Sequence, residues 1–377
     1  MVFRSVQGSR RVCAGAIGAL GVMISTGAFG QYAVRNLVAE SAGPADHADA
    51  NLVNPWGLVH SATGPWWVAN NNTGTSTLYD GAGVANALVV SVPGVVGSGA
   101  PTGIVFSGSA TDFLINPISG TDPARFVFAG EDGVISAWAP GLAAPANTAR
   151  RMVDRSGNGT VYKGLAVATG SSGAHLYAAD FRHGSVDVFD STFSGVSSAG
   201  GFVDPGLPAG YAPFNIAAGS SSLLVSYALQ AAGGLDDLPG AGHGFVDEFN
   251  LDGVFQRRVV SGGALNSPWG MVVAPADFGP FSGALLVGNG GDGHINAFDP
   301  LTGMLIGTLG DANGQPIAIA GLRGLAFGNG AGAGPASTLY FAAGGADGSH
   351  GVFGSITIPR QGLADLFHLL VVLDVVL

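Results

Sequence analysis

The chain has 377 residues, of which 64 are Gly and 20 are Pro; 47% are hydrophobic and only 10% charged. Gly and Pro together are about 22% of the chain, below the roughly 25–30% of low-complexity disorder, so the chain should fold. Fourteen Lys and Arg against 25 Asp and Glu give a net charge of −11 with no basic block, which excludes nucleic acid and acidic lipid as partners.

Residues 1–30 read as a secretory signal peptide. Arg4, Arg10 and Arg11 precede the apolar run Val12 to Ile24, and Ala28-Phe29-Gly30 offers small residues before a cut at Gln31. The pair Arg10-Arg11 leaves both the general and the twin-arginine export routes open. Cleavage removes three arginines and no acid, taking the net charge to −14, and removes Cys13, the only cysteine. No disulfide, thiolate metal site or cysteine nucleophile is then expected in the exported, periplasmic or extracellular protein. Past residue 30 no run of about 18 apolar residues occurs, so no stable membrane span is expected despite a mean hydropathy of +0.39.

From residue 31 to 358 the chain repeats itself six times. One column of glycines consists of Gly74, Gly133, Gly184, Gly244, Gly293 and Gly351, spaced 49 to 60 residues apart. Each lies between two alternating apolar segments, such as Trp66 to Ala69 and Ser76 to Tyr79, which predicts a hairpin with the glycine at a positive-φ turn position. A second column starts each unit: Pro55-Trp56-Gly57, Pro101-Thr102-Gly103, Tyr162-Lys163-Gly164, Pro213-Phe214-Asn215, Pro268-Trp269-Gly270 and Leu322-Arg323-Gly324. Its small residues suit an innermost strand crowded toward a common axis. Turns such as Asp80-Gly81 and Asn250 to Gly253 close the units and lead into an outer strand. Four antiparallel strands repeated six times predict an all-β, six-bladed β-propeller, expected to be a monomer. Unit six ends after its third strand, and Tyr32 to Ala39 is expected to supply the fourth, hiding the sheet edges. The tail 359–377 is apolar but interrupted by Asp365, His368 and Asp374, and is expected to be disordered or processed.

The block Asn51-Leu52-Val53-Asn54-Pro55-Trp56-Gly57, the segment Gly64 to Asn70, Gly242 to Asp247 and the second Asn-Ser-Pro-Trp-Gly at Asn266 to Gly270 resemble a family of uncharacterised, exported bacterial propellers related to NHL repeats. The likeness covers roughly residues 32–358 and implies fold and export, but no established activity. Some members end in a Pro-Glu-Pro sorting anchor, a pattern that the tail here lacks.

Loops into the inner strands and turns between the second and third strands open on one face of a propeller, around the channel mouth. Trp56, Lys163, Trp269 and Arg323 are the candidate ligand-binding residues there, two aromatics and two cations suited to an anionic or sugar-like small molecule; a protein partner is the other possibility. Equally, the tryptophans could pack between blades and the cations pair with acids. The insertion Ala231 to Gly242 is expected on the same face, as a lid or as a plain excursion. Asn70, Glu131, Asp180 and Asn289 carry oxygens suited to Ca²⁺ as a cofactor. Propeller lactonases carry a similar Glu/Asn/Asp set, which implies a metal-dependent hydrolase as the alternative to a binding module. Asn and Asp at strand ends also bond their own turns. His183, His243 and His350 precede hairpin glycines and are expected to point apart as turn residues. No Gly-x-Ser-x-Gly elbow, His-Glu-x-x-His or phosphate loop occurs.

Overall fold

The computed structural model describes residues 32–116 and 121–359. The expected signal peptide, and the tail beyond Pro359, lie outside the described residues. Six antiparallel blades form a six-bladed β-propeller, with no α-helix among the described residues. Blade 1 runs inward to outward through Pro55–His60, Trp66–Asn70, Thr75–Tyr79 and Ala85–Ser91. Blades 2 to 5 repeat the order, starting from Pro101–Phe106, Tyr162–Gly170, Tyr211–Ala218 and Pro268–Val273. Blade 6 takes three strands from the C-terminal end, Leu322–Phe327, Leu339–Ala343 and Val352–Thr357, and its outer strand from Ala33–Ala39. The register joins Ala33 to Thr357 and Ala39 to Val352, so both ends of the repeat region close the ring as the sequence implies. A two-residue strand, His47–Ala48, adds a parallel fringe to that blade. Tyr32 locks the closure, its N–H donating to Gly310 O at 2.8 Å and its hydroxyl to Phe278 O at 2.9 Å in blade 5.

The core sits between blades. Trp67 of blade 1 stacks on Phe126 of blade 2 with centroids 3.8 Å apart, and Trp66 meets Tyr340 and Phe353 of blade 6. Such aromatic faces bury large apolar areas, which is the main stabilising contribution in a fold built only of strands.

Glycine has two separate uses here. In the hairpins of blades 1, 2, 3 and 5 the turn glycines hold φ between 62° and 75°, which only glycine adopts freely. Gly244 and Gly351 depart from the expected positive φ. A Cβ at Gly351 would run into Leu52 O, and one at Gly244 into the Pro268 ring, so close approach explains these two.

At the axis, a Cβ on Gly57 would lie 2.7 Å from Thr102 O, on Gly103 2.5 Å from Leu165 N, on Gly164 2.6 Å from Asn215 Cα, and on Gly270 2.5 Å from Arg323 O. Gly324 closes the circle, 2.5 Å from Trp56 O. Only blade 4 lacks the glycine, and there Asn215 Nδ2 donates to Trp269 O at 2.8 Å across the gap. Replacing Gly324 with Ala should therefore cost about 1–3 kcal/mol through overpacking against backbone. Gly157→Ala, where a Cβ meets nothing within 4 Å, should change little, and chemical denaturation compares the two.

Blade 4 buries Asp247 completely; Oδ1 takes a hydrogen bond from Arg258 at 3.2 Å, whereas Oδ2 has no partner among the described residues. Burial pushes this carboxyl up to about 7. A raised folded-state value makes its stabilising contribution complete below about pH 4 and lost as pH rises through 7. Asp247→Asn should flatten that decline, read by chemical denaturation at pH 4.5 and pH 8.

Candidate functional site

One residue in the inner strand of every blade is set apart by backbone geometry. Pairing to the second strand slips immediately after Pro55, Pro101, Tyr162, Pro213, Pro268 and Leu322. The residue that follows each is a bulge residue, freed from the regular alternation of the pleat. Those six are Trp56, Thr102, Lys163, Phe214, Trp269 and Arg323. Trp56 and Trp269 meet edge to face at 5.8 Å, and Phe214 meets Trp56 at 6.1 Å. Lys163 Nζ and Arg323 Cζ both lie over the Trp56 indole, at 5.2 and 4.4 Å from ring centroids. Thr102 turns its hydroxyl away, to Tyr162 O at 2.8 Å and Ala129 O at 3.1 Å.

This set plugs the channel. Below it a cavity of about 120 Å³ is lined by inner strands and Trp269; above it a cavity of about 640 Å³ opens at the mouth, with Trp56 and Arg323 in its lining. The four residues expected to bind ligand do converge, but in unequal positions. Trp269 packs in the plug and donates from Nε1 to Lys163 O at 2.9 Å. Lys163 is 1% exposed and pairs with Glu131 and, at 3.2 Å, with Asp236. Of the four, Arg323 and Trp56 line the mouth cavity.

Arg323 is held differently from Lys163. Its guanidinium passes over Gly290, where any side chain would occupy the same space. Its hydrogen bond is a long one, Nη1 donating to Leu322 O at 3.4 Å, while Nε is buried without an acceptor among the described residues. Burial lowers its pKa, and the carboxylates of Asp237, Glu131 and Asp236 oppose that shift without making an ion pair with it. The walls are acidic. Glu131, Asp236, Asp237, Asp292 and Asp347 all line the mouth cavity. The insertion Ala231 to Gly242 lies on this face as expected, contributing Asp236, Asp237 and Pro239, and is tied down by Gly240 N–H to Asn266 Oδ1 at 2.7 Å. Asn54, held at φ 49°, forms an amide rim with Asn71 and Asn72, donating from Nδ2 at 3.1 and 3.3 Å.

The four oxygen-bearing residues expected to suit Ca²⁺ are not bonded into one set. Asn70 Nδ2 donates to Thr75 and Thr77 of its own hairpin at 3.2 and 3.0 Å. Asp180 accepts from His183 Nδ1 at 2.7 Å and Val161 N–H at 3.3 Å, in a separate pocket beside Arg155. Asn289 Nδ2 donates to Ala264 O at 2.8 Å, and Glu131 turns to Lys163 and Asn71. Among the described residues no group of three or more His, Cys, Asp or Glu is placed to hold a metal. His183, His243 and His350 have separate partners, in Asp180, Leu238 O and Glu40. Losing its hairpin bonds should make Asn70→Ala less stable by about 1 kcal/mol. Adding Ca²⁺ or a chelator should leave that deficit unchanged in a thermal-shift measurement.

The bulges were the feature that the sequence hid. The Pro-x-Gly column marks the strand, yet nothing in residue type announces that its middle member leaves the pleat.

No family model matches the chain. The "Uncharacterized protein R648" of Acanthamoeba polyphaga mimivirus is 35% identical over 321 residues, covering 82% of this chain and 78% of the viral protein. A second, "Uncharacterized protein L690" of the same virus, is 35% identical over 295 residues and 75% of each chain. These relatives are viral, which corrects the expectation of bacterial kin. Among solved structures, a protein of unknown function from Bacteroides thetaiotaomicron superposes with a TM-score of 0.54 at 13% identity, over 86% of this chain and 76% of that one. A streptogramin B lyase does so at 0.50 and 11%, over 87% and 98%. Identities this low show the propeller fold alone, and the NHL resemblance goes no further than that fold.

Proposed function

We propose that this chain, which belongs to the same family as the mimivirus protein R648, is a binding module that seats a small polar molecule at the mouth of its propeller channel. The observation that carries this reading is the cavity of about 640 Å³, closed beneath by the aromatic plug and floored by a guanidinium without an ion-pair partner among the described residues. Its volume falls within the roughly 300–1,000 Å³ typical of small-molecule sites. Polar groups converge on it from the loops of several blades, an arrangement that fixes ligand orientation without moving the scaffold. With residues 1–30 read as a secretory signal, the module works outside the cytoplasm. A purely anionic ligand fits less well than the sequence implies, because the walls carry five carboxylates against Arg323 and the already paired Lys163.

The test uses a variant that fills the cavity from its rim. Ala346 is exposed and lines the opening, so Ala346→Trp should occupy the space with little effect on stability. Fragments that bind the native protein in ligand-observed NMR should lose their signal in the variant. Fragments that bind both proteins equally would remove the mouth cavity as the site.

A further inference from the structure

We infer that the ligand of this cavity is a zwitterion, a free α-amino acid whose carboxylate pairs with Arg323 and whose ammonium is received by Asp237. The inference rests on the reading of the mouth cavity as a ligand site. It starts from an imbalance in how the cavity's charges are used. Lys163 spends its charge on Glu131 and Asp236. Asp292 is engaged by Asn266 Nδ2 at 3.2 Å and His294 N–H at 3.0 Å, and Asp347 by the Ser349 N–H and hydroxyl at 2.9 and 2.7 Å. Arg323 and Asp237 are the two left over. Among the described residues neither has an ion pair within 4 Å, and the Asp237 carboxylate has no hydrogen bond, yet both line one cavity and the carboxylate acts on the guanidinium through space.

Two opposite charges that share a cavity without touching are bridged by a molecule carrying the complementary pair at short separation. A guanidinium offers a planar fork that takes a carboxylate in two parallel hydrogen bonds. The place of Arg323 over Trp56 and its close approach to Gly290 restrict where that fork lies before any ligand arrives. A purely anionic ligand would meet the acidic walls, and a purely cationic one would meet Arg323 on the floor. The remaining carboxylates decide among amino acids. Asp292 and Asp347, which line the same cavity, repel an acidic side chain and accept hydrogen bonds from a neutral or basic one.

Isothermal titration calorimetry of the signal-free protein with each of the twenty proteinogenic amino acids tests the proposal. At least one neutral or basic amino acid should bind, with aspartate and glutamate at least about tenfold weaker. Its methyl ester, which lacks the carboxylate, and its N-acetyl form, which lacks the ammonium, should each lose at least about tenfold. Arg323→Gln should weaken the amino acid but not the methyl ester. Because Arg323 also packs in the plug, Asp237→Asn on the insertion serves as the second variant, weakening the amino acid but not its N-acetyl form. Failure of all twenty, or binding that ignores both chemical edits, overturns the inference. If Ala346→Trp still abolishes fragment binding in that case, the cavity stands as a site for another class of ligand; if it does not, the site itself fails.

Discussion

The close approach of six inner strands at the axis is the constraint on which everything else in this molecule depends. Blades splay outward like wedges, so their innermost strands must nearly touch, and a Cβ at the contact points would sit 2.5–2.7 Å from the neighbouring backbone. Glycine meets this demand in five blades. Asn215 meets it in the sixth by converting the contact into a hydrogen bond to Trp269 O. Tight inner strands leave a narrow channel, and the large bulge residues Trp56, Phe214, Trp269, Lys163 and Arg323 gather in it. A wider ring would leave Trp56 and Trp269 without each other and the channel open from end to end.

Plugging the channel changes its electrostatics. Lys163 and Arg323 reach the axis on the same layer as three aromatic rings, so two cations are removed from water beside an indole face. Cation–π attraction offsets part of that desolvation, and Glu131 and Asp236 offset it further for Lys163. Arg323 gains only distant carboxylates. A half-buried guanidinium with an unpartnered Nε is a poor way to stabilise a fold, because a lost hydrogen bond on a buried group costs more than a made one contributes. The two cations are equivalent by position in the repeat but not in their partners, and this asymmetry, more than cavity shape, is what the proposed site rests on.

Much of this was legible in the chain. The two glycine columns, at Gly74 to Gly351 and Gly57 to Gly324, give the blade count, and the missing outer strand of unit six gives the closure by Ala33–Ala39. Repeats expose such features because the same steric demand recurs at the same offset. The convergence of Trp56, Lys163, Trp269 and Arg323 was also readable, since they share one position in the repeat. Their division of labour was not. Whether Lys163 or Arg323 is neutralised depends on Glu131 in blade 2 and Asp236 in an insertion of blade 4, contacts 32 and 73 residues away that no local pattern encodes. The role of Asn70 and Asn289 is less legible: their type and recurrence suggest a shared metal, and in the structure each amide nitrogen donates to nearby partners while its Oδ1 is buried without a partner among the described residues.

The scarcity of charge in this protein gives the mouth cavity its meaning. A chain with 10% charged residues places five of its 25 acids, together with Arg323 and Lys163, around one opening. Like charges gathered so closely repel and weaken the native state. The plug needs only apolar bulk, which Trp56, Phe214 and Trp269 already supply. Glu131 and Asp236 answer Lys163, and Asp292 and Asp347 are held by their own turns, so among the described residues Asp237 is the wall carboxylate left without a structural task, and a molecule that carries both complementary charges would join it to the unpaired guanidinium.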